Sequence, residues 1–182
     1  LSSWYTVDAG SRAVVKRFSW ANEFYTVSVA LYPDEPAVGP EAEALQRRAL
    51  AIQEKLLGPE NGEVAYSLNN LGSLLLRQNR LEEALPLLER ALAIRTKVYG
   101  RESNEVAQTL NNMGNVAMRA KRYDAADAFY ARALAIREKL FGKDNPAVAA
   151  VLENLAKMRR VQGRTAEADA LDARAKAIRT GK

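Results

Sequence analysis

The sequence contains no cysteine and no histidine. Their absence excludes disulfide bonds, thiolate nucleophiles and imidazole bases, and it removes the usual ligands of zinc sites. The sequence also lacks a run of about 18 uncharged apolar residues and a basic, apolar stretch at its start, so it predicts neither a transmembrane helix nor a secretory signal. These absences argue against an enzyme, and we expect the protein to use no cofactor and no metal.

The composition that remains is typical of a globular protein, with 48% hydrophobic and 27% charged residues in a chain of 182. The net charge is +5, and the basic surplus lies in residues 41–182, because residues 1–40 carry more acidic than basic side chains. A surplus of this size favours acidic partners but is small for a protein that binds nucleic acid. We expect a cytoplasmic protein, although the chain begins with Leu1 and a targeting segment could have been removed.

One internal period dominates the sequence, and it is 42 residues long. The segment Ala49–Ile52 returns as Ala91–Ile94 and Ala133–Ile136, and in weakened form as Ala175–Ile178. Other residues keep the same spacing without any insertion: Gly58, Gly100 and Gly142; Leu68, Leu110 and Leu152; Asn70, Asn112 and Asn154; Ala84, Ala126 and Ala168. The spacing therefore predicts a structural unit that is repeated along the chain.

Each unit is predicted to contain two helices. In the first helix, spacings of i, i+3, i+4 and i+7 put four residues on one face: Leu68, Leu71, Gly72 and Leu75. The residues Gln78–Arg80 form a turn, and the second helix begins near Leu81 and ends at Gly100, where a positive φ is required. Small residues such as Gly72 and Ala84 allow the two helices to approach closely.

Helix ends are also predicted. Asn104 and Asn145 are candidate N-caps, and Pro146 fits the first turn of a helix, where its missing N–H is harmless. Pro86 lies inside the predicted second helix, and we expect it to cause either a small bend or a later start.

The units are expected to stack, because no single helix pair can cover its own apolar face. We predict an all-α, right-handed superhelical solenoid over residues 41–182, with a concave inner groove. It comprises the second helix of a partial repeat and three full repeats: 41–57, 63–99, 104–141 and 145–179. The last second helix carries Asp172 and Lys176 where earlier units have apolar residues, so we expect the array to end near Lys182.

Residues 1–40 lie outside the repeats and are predicted to be extended or β-structured. Trp4–Val7 and Ala13–Phe18 flank a polar turn and indicate a hairpin. The stretch 22–33 fits either a degenerate first helix or a strand, because it is rich in aromatic and β-branched residues. Pro33–Pro40 is predicted to be a linker.

These patterns resemble a known repeat family. The sequence Leu68-x-x-Leu71-Gly72-x-x-Leu75 followed by Ala84-x-x-x-Leu88 is similar to the tetratricopeptide repeat (TPR), whose usual unit has about 34 residues. The longer units here, with segments such as Ser67–Gly72 and Arg90–Arg95, resemble the repeats of kinesin light chains. The resemblance covers residues 41–179 and implies a non-enzymatic module that binds a peptide segment of another protein.

The exposed face of each first helix, opposite its apolar stripe, is the candidate site. It carries amide, hydroxyl and basic side chains: Tyr66, Asn70, Ser73 and Arg77; Gln108, Asn112, Asn115 and Arg119; Asn154, Lys157 and Arg160. An asparagine at one position of three repeats can grip the backbone of an extended peptide, because its amide both donates and accepts. The alternative is that these asparagines bond to neighbouring helices and hold the superhelical pitch.

The basic side chains of this face favour an acidic ligand, and the resemblance to kinesin light chains implies the same preference. The scattered carboxylates lie on repeat surfaces without an apolar pocket, so they indicate no catalysis. A further basic set lies on second helices and is expected to face outward into solvent: Arg95, Lys97, Arg137, Lys139 and Arg179.

Three functions follow from the sequence. The favoured one is a protein interaction scaffold that binds an extended, acidic peptide segment in its groove. The second is self-assembly into a homo-oligomer through the aromatic residues of 1–40. Nucleic-acid binding by the basic surplus of the array is the least favoured.

Overall fold

The computed structural model describes residues 3–7, 14–20, 23–29 and 40–181, and side chains from residue 42 onward. Helices dominate this part of the chain: α1 Pro40–Leu57, α2 Gly62–Arg77, α3 Leu81–Tyr99, α4 Asn104–Arg119, α5 Tyr123–Phe141, α6 Pro146–Val161 and α7 Thr165–Thr180. Helices α2, α4 and α6 are the first helices of the repeats, and α1, α3, α5 and α7 are second helices. The predicted solenoid of helical hairpins is thus present.

Three antiparallel strands precede the helices: β1 Ser3–Val7, β2 Val14–Trp20 and β3 Glu23–Val29, in the order β1-β2-β3. Val7 is opposite Val14, and Val14 is opposite Val29. The first two strands are those of the predicted hairpin, and the segment that fitted a helix or a strand forms the strand β3. Its β-branched and aromatic residues favour this conformation. The predicted linker, apart from Pro40, lies outside the described residues.

The turn inside each hairpin requires a left-handed residue at one register position. Asn79, Lys121 and Gly163 have φ of 61°, 60° and 76°. The next residue then bonds back into the first helix, as in the bond from the Arg122 amide to the Ala117 carbonyl at 2.8 Å. This pattern closes the C-terminal end of the helix. Lys121 adopts this conformation without the freedom of glycine.

The N-caps follow the 42-residue register more strictly than predicted. Asn61 and Asn145 each accept from the amide two residues later at 2.9 Å. The equivalent residue in the middle repeat is Ser103, whose Oγ accepts from the Val106 amide at 3.3 Å. The prediction that Asn104 caps α4 was therefore wrong by one residue: Ser103 is extended, and Asn104 is already helical. The alternative of a later start for α3 was also wrong, since Pro86 lies inside Leu81–Tyr99.

Close contact between the two helices of a hairpin depends on glycine in the first helix. A Cβ added to Gly72 would lie 2.8 Å from Cγ of Leu88, and one added to Gly114 would lie 2.5 Å from Cε1 of Tyr130. Leu88 and Tyr130 are both fully buried. The missing side chain therefore makes room for the large residue that fills the hairpin interior.

The curvature of the array follows from which helices touch. The Cα traces of α2 and α4, and of α4 and α6, come within 8 Å of each other. Within residues 40–181, no two second helices approach this closely. The first helices thus line the inner, concave side, and the second helices spread apart on the outer side.

Candidate functional site

The predicted groove residues of the first two repeats lie on the inner side of α2 and α4. Tyr66 is 54% exposed, and Arg77, Gln108 and Arg119 are also exposed. Asn70, Ser73, Asn112 and Asn115 are half-buried. On α6, Lys157 is exposed and Asn154 is half-buried. The structure therefore presents these polar side chains on one strip across three consecutive first helices.

Neighbouring first helices are joined by asparagine pairs. Nδ2 of Asn112 donates to Oδ1 of Asn69 at 3.1 Å, and Nδ2 of Asn154 donates to Oδ1 of Asn111 at 3.0 Å. Both bonds span 43 residues, one more than the repeat. Asn112 and Asn154 thus bond to the preceding first helix, as the structural alternative requires, and each amide keeps a second N–H and its oxygen unused.

The row of asparagine pairs Asn69–Asn112 and Asn111–Asn154, called here the asparagine ladder, ends differently at its two sides. Asn70 is in register with Asn112, but no first helix precedes α2 among residues 40–181, and within that range its side chain has no hydrogen-bond partner. At the other end, Glu153 replaces Asn69 and Asn111 in the register. Its carboxylate accepts from Nε and Nη2 of Arg179 at 2.5 and 3.0 Å, and these bonds lower the pKa of Glu153.

The basic residues of the groove differ in their contacts. Nη1 of Arg119 donates to the carbonyl of Leu76 at 2.7 Å, at the C-terminal end of α2. A cation is favourable there because the last carbonyls of a helix are unsatisfied. Arg77 and Lys157 form no ion pair within residues 40–181. Arg77 is therefore available to a ligand, and Lys157 is as well, although its charge also acts on Glu153 four residues earlier. Arg119 forms no ion pair either and keeps its other N–H donors.

Three predicted residues have intramolecular partners on second helices. Oε1 of Gln108 accepts from Nη1 of Arg95 on α3 at 3.0 Å. The Tyr130 hydroxyl donates to Oδ1 of Asn115 at 2.6 Å, and both donors of the Asn115 NH₂ stay available to a ligand. Arg160 pairs with Asp169 at 2.8 Å and Asp172 at 2.6 Å on α7. The structure does not bring Arg160 to the groove strip. The position in register with Arg77 is held instead by Val161, which is 62% exposed.

The sequence did not reveal two buried arginines on the second helices. Arg95 and Arg137 were expected to face solvent, but they are 2% and 9% exposed. Nη1 of Arg95 donates to the Glu105 carbonyl and to Oγ1 of Thr109, both at 2.8 Å. Burial lowers the pKa of both guanidinium groups, because desolvation disfavours the charged form.

The same register position explains the role of these arginines. Nη1 of Arg137 donates to the Ala147 carbonyl at 2.8 Å, as Arg95 does one repeat earlier to Glu105. In α1 the position is held by Gln53, which accepts from the Ser67 hydroxyl at 2.5 Å. Each residue therefore ties a second helix to the next first helix. A signal was present in the sequence, since a hydroxyl follows 14 residues after both Gln53 and Arg95.

The remaining outward-facing basic residues are exposed and paired. Lys97 pairs with Glu60, Lys139 pairs with Glu102, and Arg179 pairs with Glu153. Across residues 40–181, no group of three carboxylates is arranged to hold a metal ion. The helices described also include none that is both long and apolar enough to cross a bilayer.

A family model for the tetratricopeptide repeat matches residues 39–97 and 105–180. Among solved structures, the chain is similar to BtubC (BKLC) from P. vanneervenii, at 29% identity and a TM-score of 0.69, over 78% of this chain and 56% of that one. It is also similar to a variant of the nearly identical TPR-like repeats of a kinesin-light-chain-like protein of Podosopora anserina, at 25% identity and a TM-score of 0.64, over 78% and 66%.

The chain thus spans about half the length of BtubC and about two thirds of the Podosopora anserina protein. No curated protein is significantly similar in sequence.

Proposed function

Because the chain belongs to the tetratricopeptide repeat family, a family of protein–protein interaction scaffolds, we propose that it binds an extended, acidic segment of a partner protein in its concave groove. The groove is the strip on α2, α4 and α6 described above. The repeats of this family are generally non-enzymatic, and we assign no reaction to the groove.

The observation that carries the proposal is the presence of three cations without an ion pair on the inner face, of which Arg119 donates to a backbone carbonyl and Arg77 and Lys157 have no hydrogen bond within residues 40–181. Arg77 and Lys157 are exposed and have no carboxylate at ion-pair distance within residues 40–181. Many basic residues elsewhere in the array do have one, such as Arg80 with Glu43 and Arg159 with Asp127. A carboxylate of the ligand would form an ion pair with a groove cation in the same way.

The asparagine ladder favours an extended ligand. Asn112 and Asn154 each use one N–H for the preceding helix, which leaves a second N–H and an acceptor oxygen for the backbone of a peptide. The bond to the preceding helix also fixes the orientation of each amide before a ligand arrives. Such preorganisation lowers the entropic cost of binding.

The test uses random peptides displayed on phage and selected on the whole chain. Recovered peptides are synthesised, and their Kd is measured by fluorescence anisotropy against the wild type and an Arg77→Glu, Lys157→Glu variant. We expect peptides rich in Asp and Glu, with a Kd that is weakened about tenfold or more in the variant.

The matched control is Lys55→Glu with Lys176→Glu, which changes the net charge equally at exposed positions of α1 and α7. The control should bind like the wild type. Peptides without acidic residues, or equal binding by the groove variant, would contradict the proposal.

Self-assembly, which the sequence predicts through the aromatic residues of 1–40, is the second candidate, and α1 supplies a separate observation in its favour. Leu45 and Ile52 share a face of α1 and are 51% and 38% exposed. In the following repeat, the residue in register with Ile52 is Ile94, which is 5% exposed. Light scattering should show a change in oligomeric state for a Leu45→Lys, Ile52→Lys variant if this face joins two copies, and an unchanged mass would rule it out.

A further inference from the structure

A cleft of about 820 Å³ lies on the outer side of the array, between α3 and α5. It is distinct from the groove, since its walls belong to second helices and the loop after α3. Leu92 and Ile136 contribute apolar surface to it, and Thr96, Arg101 and Arg132 contribute polar groups. The cleft is therefore a concave surface with both apolar and cationic character.

Ion pairs join the neighbouring pairs of second helices, α1 with α3 and α5 with α7. Arg90 of α3 pairs with Glu54 of α1, and it also donates to the Pro59 carbonyl at 3.1 Å. Two repeats later, Arg174 of α7 pairs with Glu138 of α5 at 2.5 Å and donates to the Lys143 carbonyl at 3.4 Å. The two arrangements are equivalent in the 42-residue register.

Between α3 and α5, the equivalent arginine is present but the glutamate is absent. Arg132 is in register with Arg90 and Arg174, whereas Thr96 stands where Glu54 and Glu138 stand. Arg132 is exposed and has neither an ion pair nor a hydrogen bond within residues 40–181. One arginine of three has thus lost its carboxylate at the place where the cleft lies.

The other charges of the cleft do not neutralise Arg132. Lys139 and Glu102 pair with each other. Arg101 and Glu89 are both exposed, and neither forms an ion pair within residues 40–181. The charged side chains of the cleft are Arg101, Arg132, Lys139, Glu89 and Glu102, so the cleft has a net charge of +1. This charge lies beside the apolar surface of Leu92 and Ile136.

We propose that this cleft is a second docking site, at which Arg132 binds a carboxylate from a partner protein in the place of the missing glutamate. The partner segment carries an Asp or Glu next to an aliphatic or aromatic side chain that covers Leu92 and Ile136. The neighbouring repeats show the geometry of the bond, because the equivalent arginines, Arg90 and Arg174, each pair with a glutamate of this chain. In both neighbours one guanidinium nitrogen bonds one carboxylate oxygen, and the opposite charges strengthen this hydrogen bond.

The substitution Thr96→Glu provides the sharpest test, because it supplies the missing carboxylate within the chain and should close the site. Phage-displayed random peptides are selected on the Arg77→Glu, Lys157→Glu variant, which weakens the proposed groove. Peptides that also bind the same variant carrying Thr96→Glu, including any bound in the groove, are then removed. We expect the remaining peptides to contain Asp or Glu beside Leu, Ile or Phe. Their Kd for the otherwise unmodified chain should weaken about tenfold or more with Thr96→Glu and with Arg132→Gln.

The control is Arg174→Gln, which removes an arginine of the same register position that already has its glutamate, and it should leave the Kd unchanged. Circular dichroism checks that each variant is folded, and if Thr96→Glu were not, Arg132→Gln alone would decide. Peptides that bind Arg132→Gln as tightly as wild type, or the recovery of none that depends on Thr96, would overturn the proposal. It would also be overturned if only a single-stranded oligonucleotide bound in an Arg132-dependent way, since the site would then recognise phosphate.

Discussion

Asn112 donates a hydrogen bond of 3.1 Å to Asn69 of the preceding repeat, and Asn69 is only 2% exposed. The bond has two effects. It satisfies a buried carbonyl oxygen that water cannot reach, and it fixes the spacing between the first helices α2 and α4. A residue of the groove therefore contributes to the stability of the array as well as to its binding surface.

The first prediction concerns this dual role. Asn112→Ala leaves the buried Asn69 oxygen without its donor and should lower the free energy of unfolding by about 1–3 kcal/mol. Asn70→Ala is the matched control, because Asn70 holds the same register position without a partner in residues 40–181. Its effect should stay within about 0.5 kcal/mol. Urea denaturation followed by circular dichroism measures both, and equal effects would contradict the structural role of the Asn112 bond.

The second prediction concerns Arg95, which ties α3 to α4. Arg95→Ala removes the bonds to the Glu105 carbonyl and to Thr109, and it leaves space in a buried position. We expect a loss of about 2–4 kcal/mol in the free energy of unfolding. Arg179→Ala removes the arginine of the same register position where it is exposed, and should cost about 1 kcal/mol or less. A loss at Arg95 no larger than that at Arg179 would show that the buried bonds contribute nothing net.

The helices and their order were predictable because the repeat fixes the backbone. A residue that returns after 42 positions returns to the same face of the same helix, so the apolar stripe of Leu68 and Leu71 in one unit predicts the stripe in the next. The turn residue Gly100 and the cap Asn145 are local signals of helix ends, and they correctly predict the end of α3 and the start of α6. The same register identifies Ser103 as the cap of α4, whereas the local pattern alone favours the neighbouring Asn104.

The partners of polar side chains were not predictable, because they depend on the offset between helices. The Asn112–Asn69 bond spans 43 residues, and this extra residue reflects the angle between successive first helices rather than any local pattern. Arg95 occupies a helix position where arginine is usually solvated, and its burial depends on the approach of α4. The outer cleft is likewise not predictable, because the sequence shows that Thr96 replaces a glutamate in one repeat of three but not whether Arg132 finds another partner.

The third prediction concerns Lys121, which adopts φ of 60° at the turn between α4 and α5. The left-handed conformation raises the free energy of a non-glycine residue by about 1–2 kcal/mol, and glycine does not have this cost. Lys121→Gly should therefore raise the free energy of unfolding by about 0.5–1 kcal/mol after the greater freedom of glycine in the unfolded chain is subtracted. The reverse control is Gly163→Ala, at the same register position with φ of 76°, which should destabilise the protein. Thermal denaturation compares the two, and a lower Tm for Lys121→Gly would contradict the assigned turn geometry.

The fourth prediction concerns pH and rests on Glu153, whose pKa is held below its usual 4.5 by hydrogen bonds from Arg179. A carboxyl group with a lower pKa in the folded state contributes stability above the unfolded pKa, and this contribution is lost as the pH falls through the folded value. The Tm of the wild type should therefore exceed that of Glu153→Gln at neutral pH, and the difference should shrink below about pH 4.5 and vanish in stronger acid. High salt should reduce the difference at neutral pH, because the pair is partly exposed. Glu89→Gln, at an exposed position without an ion pair in residues 40–181, serves as the control. If both variants followed the same pH curve, the Arg179 pair would not stabilise the C-terminal repeat.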